Sequence, residues 1–108
     1  MKGQMFTYRP ESPKPSIIAL EKPDLDVVKA GLNGGYLEAV PFFFYYHGQR
    51  CVAFCDEEGK GKGLPINIAA TLLWHTALVK LHGSIIIDDV LCGPVVVLTG
   101  DQEFMNSM

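Results

Sequence analysis

The chain has 108 residues, of which 48% are hydrophobic and 19% charged, and nine basic against twelve acidic side chains give a formal charge of −3. That length supports one core and one domain, and the composition is that of a globular chain rather than a disordered one. The charge excludes the strongly basic surface of a general nucleic-acid binder, and it is too mild for a mimic of DNA by negative charge alone.

Residues 1–15 contain Pro10, Pro13 and Pro15 and read as an extended arm, with a single domain over 16–108. They lack the continuous apolar stretch of a secretory leader, so none is expected. No apolar run approaches the ~20 residues needed to span a membrane. Three cysteines, an odd number, fit a reducing cytoplasm with free thiols. Ser16–Glu21 is a short apolar strand. Asp24 is a suitable helix N-cap, with Leu25, Val28 and Leu32 at helical spacing and Asn33-Gly34-Gly35 as the stop. Tyr36–Tyr46 is aromatic and strand-like, interrupted by Pro41. His47-Gly48-Gln49 forms a turn, and Arg50–Cys55 returns, so 36–55 reads as a β-hairpin. Within the run Phe42 to Tyr46, strand alternation puts Phe42, Phe44 and Tyr46 on one face and Phe43 and Tyr45 on the other.

Asp56–Gly63 (DEEGKGKG) is a charged, glycine-rich loop. Asn67 is the expected N-cap of a second helix running from Ile68 to about Lys80. Ile68, Leu72, His75 and Val79 form one stripe of that helix, and apolar residues cover most of the remainder. A helix apolar nearly all round is buried on more than one side, so a homo-oligomer, most simply a dimer, is expected. Ser84–Ile87 and Val95–Thr99 read as further strands, and Asp101 as the cap of a short terminal helix. Strand pairs mixed with single helices favour an α+β fold. We expect a four- to five-stranded, mostly antiparallel sheet with two helices packed on one face.

Three ordered motifs carry a resemblance. Asn33-Gly34-Gly35-Tyr36-Leu37-Glu38-Ala39-Val40 resembles a GGYIE signature. Cys55–Lys60, followed by Gly63-Leu64-Pro65-Ile66-Asn67, is similar to a DEEGK…GLPxN signature. Asp89-Val90-Leu91-Cys92-Gly93-Pro94-Val95-Val96-Val97 resembles a DxxxGxxVV segment. All three belong to a small uncharacterised family, the domain of unknown function DUF3846, common in bacteria, in phages and on mobile elements. The resemblance covers about residues 17–104. The proline-rich arm and the stretch Leu72–His82 depart from the pattern. The family supplies no established activity and no catalytic residues to carry over.

Several residue groups could carry chemistry. Gly59, Gly61 and Gly63 lead into a helix N-terminus, where backbone N–H groups can meet an anion. The G-x4-G-K-[ST] spacing of a phosphate-binding P-loop is absent. Asp56, Glu57 and Glu58 are too few oxygen donors for a hard cation. Cys51 and Cys55, at i and i+4 on a strand, lie about 13 Å apart and cannot share a metal ion. We therefore expect no metal and no cofactor. Cys92 and His75 are the one conceivable nucleophile pair, and no catalytic motif accompanies them. The expected contact surface is the 56–67 loop (Asp56, Glu57, Glu58, Lys60, Lys62 and Asn67) together with Tyr45, His47 and Trp74. The reading is a non-enzymatic interaction protein of a phage or mobile element, acting on a host protein such as a defence component. The alternatives are a binder that sequesters a nucleotide-like molecule and a Cys/His-dependent hydrolase. Nucleic acid and membrane are not expected partners.

Overall fold

The computed structural model describes residues 1–34, 36–83 and 89–108. Six strands and three helices follow in the order β1 (Gly3–Tyr8), β2 (Ser16–Leu20), α1 (Leu25–Gly31), β3 (Leu37–Ala39), β4 (Tyr45–Tyr46), β5 (Gln49–Asp56), α2 (Ile68–His82), β6 (Val95–Gly100) and α3 (Gln102–Asn106). The sheet order is β2-β1-β6-β5-β3, with β4 paired to β5 off that path. Every pairing is antiparallel. The α+β class is as expected, with six strands among the described residues where four to five were expected, and with the short terminal helix capped by Asp101 as the third helix.

The first correction concerns the N-terminus. Residues 3–8 are not part of an arm but a central strand, held between β2 and β6. In Gly-Gln-Met-Phe-Thr-Tyr the side chains alternate: Met5 packs on one face of the sheet, and Phe6 and Tyr8 on the other. A strand buried on both faces needs apolar residues at both parities, which is why β6 reads Val95-Val96-Val97-Leu98. Val95 and Val97 face one core with α2, while Val96 and Leu98 face a second core with α1 and α3. The helices therefore cover both faces of the sheet, not one.

Local signals account for most boundaries. Asp24 accepts hydrogen bonds from the N–H groups of Asp26 and Val27 and starts α1. Asp101 does the same for Phe104 at α3. His47 (φ 48°) and Gly48 (φ 80°) both lie in the left-handed region, as a two-residue hairpin turn requires; Tyr46 faces Gln49 across it. The long strand expected over 36–46 is split instead. Phe42 takes φ 60°, a conformation that breaks strand alternation. Phe43 and Tyr46 are consequently the buried pair, while Phe42, Phe44 and Tyr45 are exposed. The strand expected at Ser84–Ile87 lies outside the described residues.

Candidate functional site

Asn67 stands at the joint where the second and third sequence motifs meet β1. Its side chain is fully buried. The amide Nδ2 donates to the carbonyls of Tyr8 and Gly93, both at 2.9 Å, and Oδ1 accepts from the N–H of Ala70 at 3.1 Å. Its own N–H donates to the Leu91 carbonyl at 2.8 Å. One side chain thereby caps α2 and ties it to β1 and to the segment entering β6. Both amide hydrogens are donated and the residue is 0% exposed, which removes Asn67 from the expected contact surface.

The loop charges are also committed internally. The Asp56 carboxylate, nearly buried, accepts from Lys62 Nζ at 2.8 Å and from the N–H of Glu58 at 2.9 Å. The Lys62 ammonium beside it holds the carboxyl below the usual carboxylate range, and the same contact pushes Lys62 up. Lys60 is paired with the Asp89 carboxylate, which keeps that carboxyl low as well. Gly59 is glycine because a Cβ there would lie 2.8 Å from the Cys92 carbonyl oxygen. The loop is thus a packed connection, with Glu57 and Glu58 exposed beside the exposed but paired Lys60 and Lys62.

Because Asp56 has a depressed carboxyl in the folded chain, its contribution to stability is complete above its unfolded value of about 4 and is lost as pH falls through the lower folded value. The melting temperature is expected to drop on acidification below about pH 4, with a shallower slope for Asp56→Asn. Parallel slopes for the two proteins would assign the acid sensitivity to another group.

A cavity of about 230 Å³ lies between this loop and α2. It brings together Asp56, Glu57, Lys60 and Trp74 of the expected set, and adds Glu38 and Asp89. Trp74 is its buried wall rather than a surface: it is 2% exposed, and its Nε1 donates to the Pro41 carbonyl at 2.8 Å. Four carboxylates against Lys60 make the cavity unfavourable for a phosphate. Tyr45 and His47 lie away from it. Tyr45 is exposed, with Lys80 Nζ 5.0 Å from its ring centroid, and His47 packs on Tyr46 at 4.3 Å between centroids.

Two of the three thiols are poor candidates for a nucleophile. Burial pushes Cys51 up to about 12 and Cys55 up to about 11, so both are protonated at neutral pH. His75 Nε2 lies 2.8 Å from the Asp89 carbonyl oxygen, so its hydrogen bond goes to the backbone and not to Cys92. Among the described residues, no group of three or more His, Cys, Asp and Glu is placed to hold a metal ion, and no helix is long and apolar enough to cross a membrane.

A family model, Domain of unknown function (DUF3846), matches residues 1–107. The chain belongs to DUF3846. The match takes in β1 and all of α2, the two regions that looked like departures from the family pattern. Comparison with curated proteins and with solved structures gives no match. In this DUF3846 domain the motif residues build a joint: Asp56 folds the loop, Asn67 joins α2 to β1, and the Gly93 carbonyl receives the Asn67 amide while its N–H donates to the Pro65 carbonyl at 2.8 Å.

The stripe of α2 expected to lie against another subunit faces outward from the domain. Ile68 is 67% exposed, Leu72 61% and Val79 43%. The opposite side of the same helix buries Ala70, Trp74, Ala77 and Leu78. A groove of about 490 Å³ adjoins the stripe, running between Leu72 and Leu73 of α2 and Ile17 of β2, over Phe6 and Tyr46.

Proposed function

We propose that this domain is a non-enzymatic interaction protein of a phage or mobile element that binds a partner protein through the outer stripe of α2 and the groove beside it. The observation that carries this reading is the alignment of Ile68, Leu72 and Val79 along one exposed helix face next to an apolar groove. Contiguous exposed apolar surface of this kind marks interaction sites. The pairing of Lys60 with Asp89 and of Lys62 with Asp56 favours this face over the 56–63 loop. Inhibition of a host defence protein is the most concrete role, suggested by the occurrence of the family in phages and on mobile elements. A homodimer through the same stripe is the competing use of this face; a solution mass of 11.9 kDa would reject it and twice that mass would favour it.

Leu72 is a surface residue, so Leu72→Asp should leave folding within about 0.5 kcal/mol. In co-purification from the producing cell, this substitution is expected to reduce a stoichiometric partner at least about tenfold, while Glu57→Lys with Glu58→Lys leaves it bound. Retention by Leu72→Asp, with loss in the charge-reversed protein, would return the interface to the loop.

A further inference from the structure

The two faces of the sheet are covered unequally. Among the described residues, one carries α1 and α3, while the only helix on the other is α2. Five strands side by side span about 19 Å between the outer strand axes. One helix, about 10 Å across with its side chains, covers about half of that width. The uncovered half is the β2–β1 side. There Ile17 is 58% exposed, and Gln4 and Ala19 are exposed on the same face. The groove between β2 and α2 is the place where a second helix, parallel or antiparallel to α2, would complete the layer.

Its charge is one-sided. Among the described residues, the charged side chains lining the groove and the α2 stripe are two lysines, Lys14 and Lys80, with no carboxylate; Glu21 and Asp101 line the separate pocket farther along, by Gln4 and Ala19. The sequence of α2 contains neither Asp nor Glu. This holds in a chain whose net charge is −3. The acids Glu38, Asp56, Glu57 and Asp89 gather instead around the cavity by the loop. An anionic segment is thus repelled from the loop end and attracted to the α2 face, which sets both orientation and encounter rate.

We infer that the occupant of this groove is an amphipathic helix of a partner protein, with an apolar stripe flanked by carboxylates. The inference rests on the protein-binding reading above and specifies the chemistry of the partner. Among the described residues, a second copy of this chain does not supply such a helix: α2 has no carboxylate, and α1 and α3 have only seven and five residues. The apolar walls, Leu72, Leu73 and Ile17, match the leucine-type side chains of a docked helix better than the flat faces of nucleobases.

The test uses the full chain and two synthetic helical peptides of about 18 residues, roughly five turns. Both carry leucine at i, i+4, i+7 and i+11. One has glutamate and the other lysine along the flanks. Fluorescence anisotropy is expected to show the glutamate peptide binding at least about tenfold more tightly, a gap of about 1.4 kcal/mol. The gap should shrink as salt rises from about 0.01 to 0.15 M and reverse with Lys14→Glu and Lys80→Glu together. Equal binding of the two peptides, abolished in both cases by Leu72→Asp, would overturn the acidic-helix inference and leave the protein-binding face standing. Binding of neither peptide would overturn the inference outright. So would a labelled single-stranded oligonucleotide that binds the same face and displaces the glutamate peptide.

Discussion

A chain lacking residues 1–8 is expected to lose cooperative folding altogether. Those residues supply β1, which is hydrogen-bonded on one side to β2 and on the other to β6. Its removal leaves β2 with no neighbour in the sheet and opens β6 to water along one edge. It also removes the side chains of Met5 and Tyr8, each buried in a different core, and the Tyr8 carbonyl that receives Asn67. A buried Met alone is worth about 2–5 kcal/mol on truncation to Ala. The total stability of a small domain is about 5–15 kcal/mol, so the loss of a central strand consumes most or all of it. Circular dichroism during heating should show no sigmoidal transition. A truncated chain that melts within about 5 °C of the parent, a shift worth roughly 1 kcal/mol, would mean that 1–8 is a dispensable arm after all.

The second large effect is expected at Asn67. Asn67→Ala leaves two buried carbonyls without their donor and one helix N–H without its acceptor. At about 1–3 kcal/mol for each of the three stranded groups, the expected loss is about 3–9 kcal/mol, and even its lower bound lowers the melting temperature by about 12–24 °C at 4–8 °C per kcal/mol. Asn67→Asp keeps the acceptor for Ala70 but turns a carboxylate oxygen toward the two carbonyls, so it is expected to be at least as damaging. Urea unfolding of both variants measures the loss directly. A cost under about 1 kcal/mol, the worth of a single ordinary hydrogen bond, would show that the joint is held by other contacts and would free Asn67 for a different role.

These two residues sets show where sequence reasoning succeeds and where it stops. Asp24, Asn67 and Asp101 were legible as caps because a short polar side chain before an apolar helix has few other uses. The His47-Gly48 turn was legible for a similar local reason. Strand β1 was missed although Gly3–Tyr8 has strand alternation, because the prolines that follow it dominate the local composition and its β6 partner lies some ninety residues away. The aromatic run was assigned the wrong faces because Phe42 adopts a positive φ, which nothing in Pro41-Phe42-Phe43 announces. For the candidate site, the roles of Asn67 and Trp74 differ from expectation because a polar or aromatic side chain looks the same in sequence whether it serves a ligand or a buried carbonyl. The pairing of Lys60 with Asp89 and of Lys62 with Asp56 is likewise a tertiary fact. The Ile68, Leu72, His75 and Val79 stripe was visible as a stripe, yet its exposure depends on the width of the sheet beneath it.

Site-specific photo-crosslinking in the producing cell tests the account most directly. A photoreactive residue replaces Leu72 in one protein and Glu58 in another, and both are irradiated at equal expression. The account predicts one discrete heavier species from position 72, carrying a second polypeptide, and none from position 58. A discrete adduct from position 58 with none from 72 would contradict it, and would place the working surface of this DUF3846 domain on the loop rather than on α2.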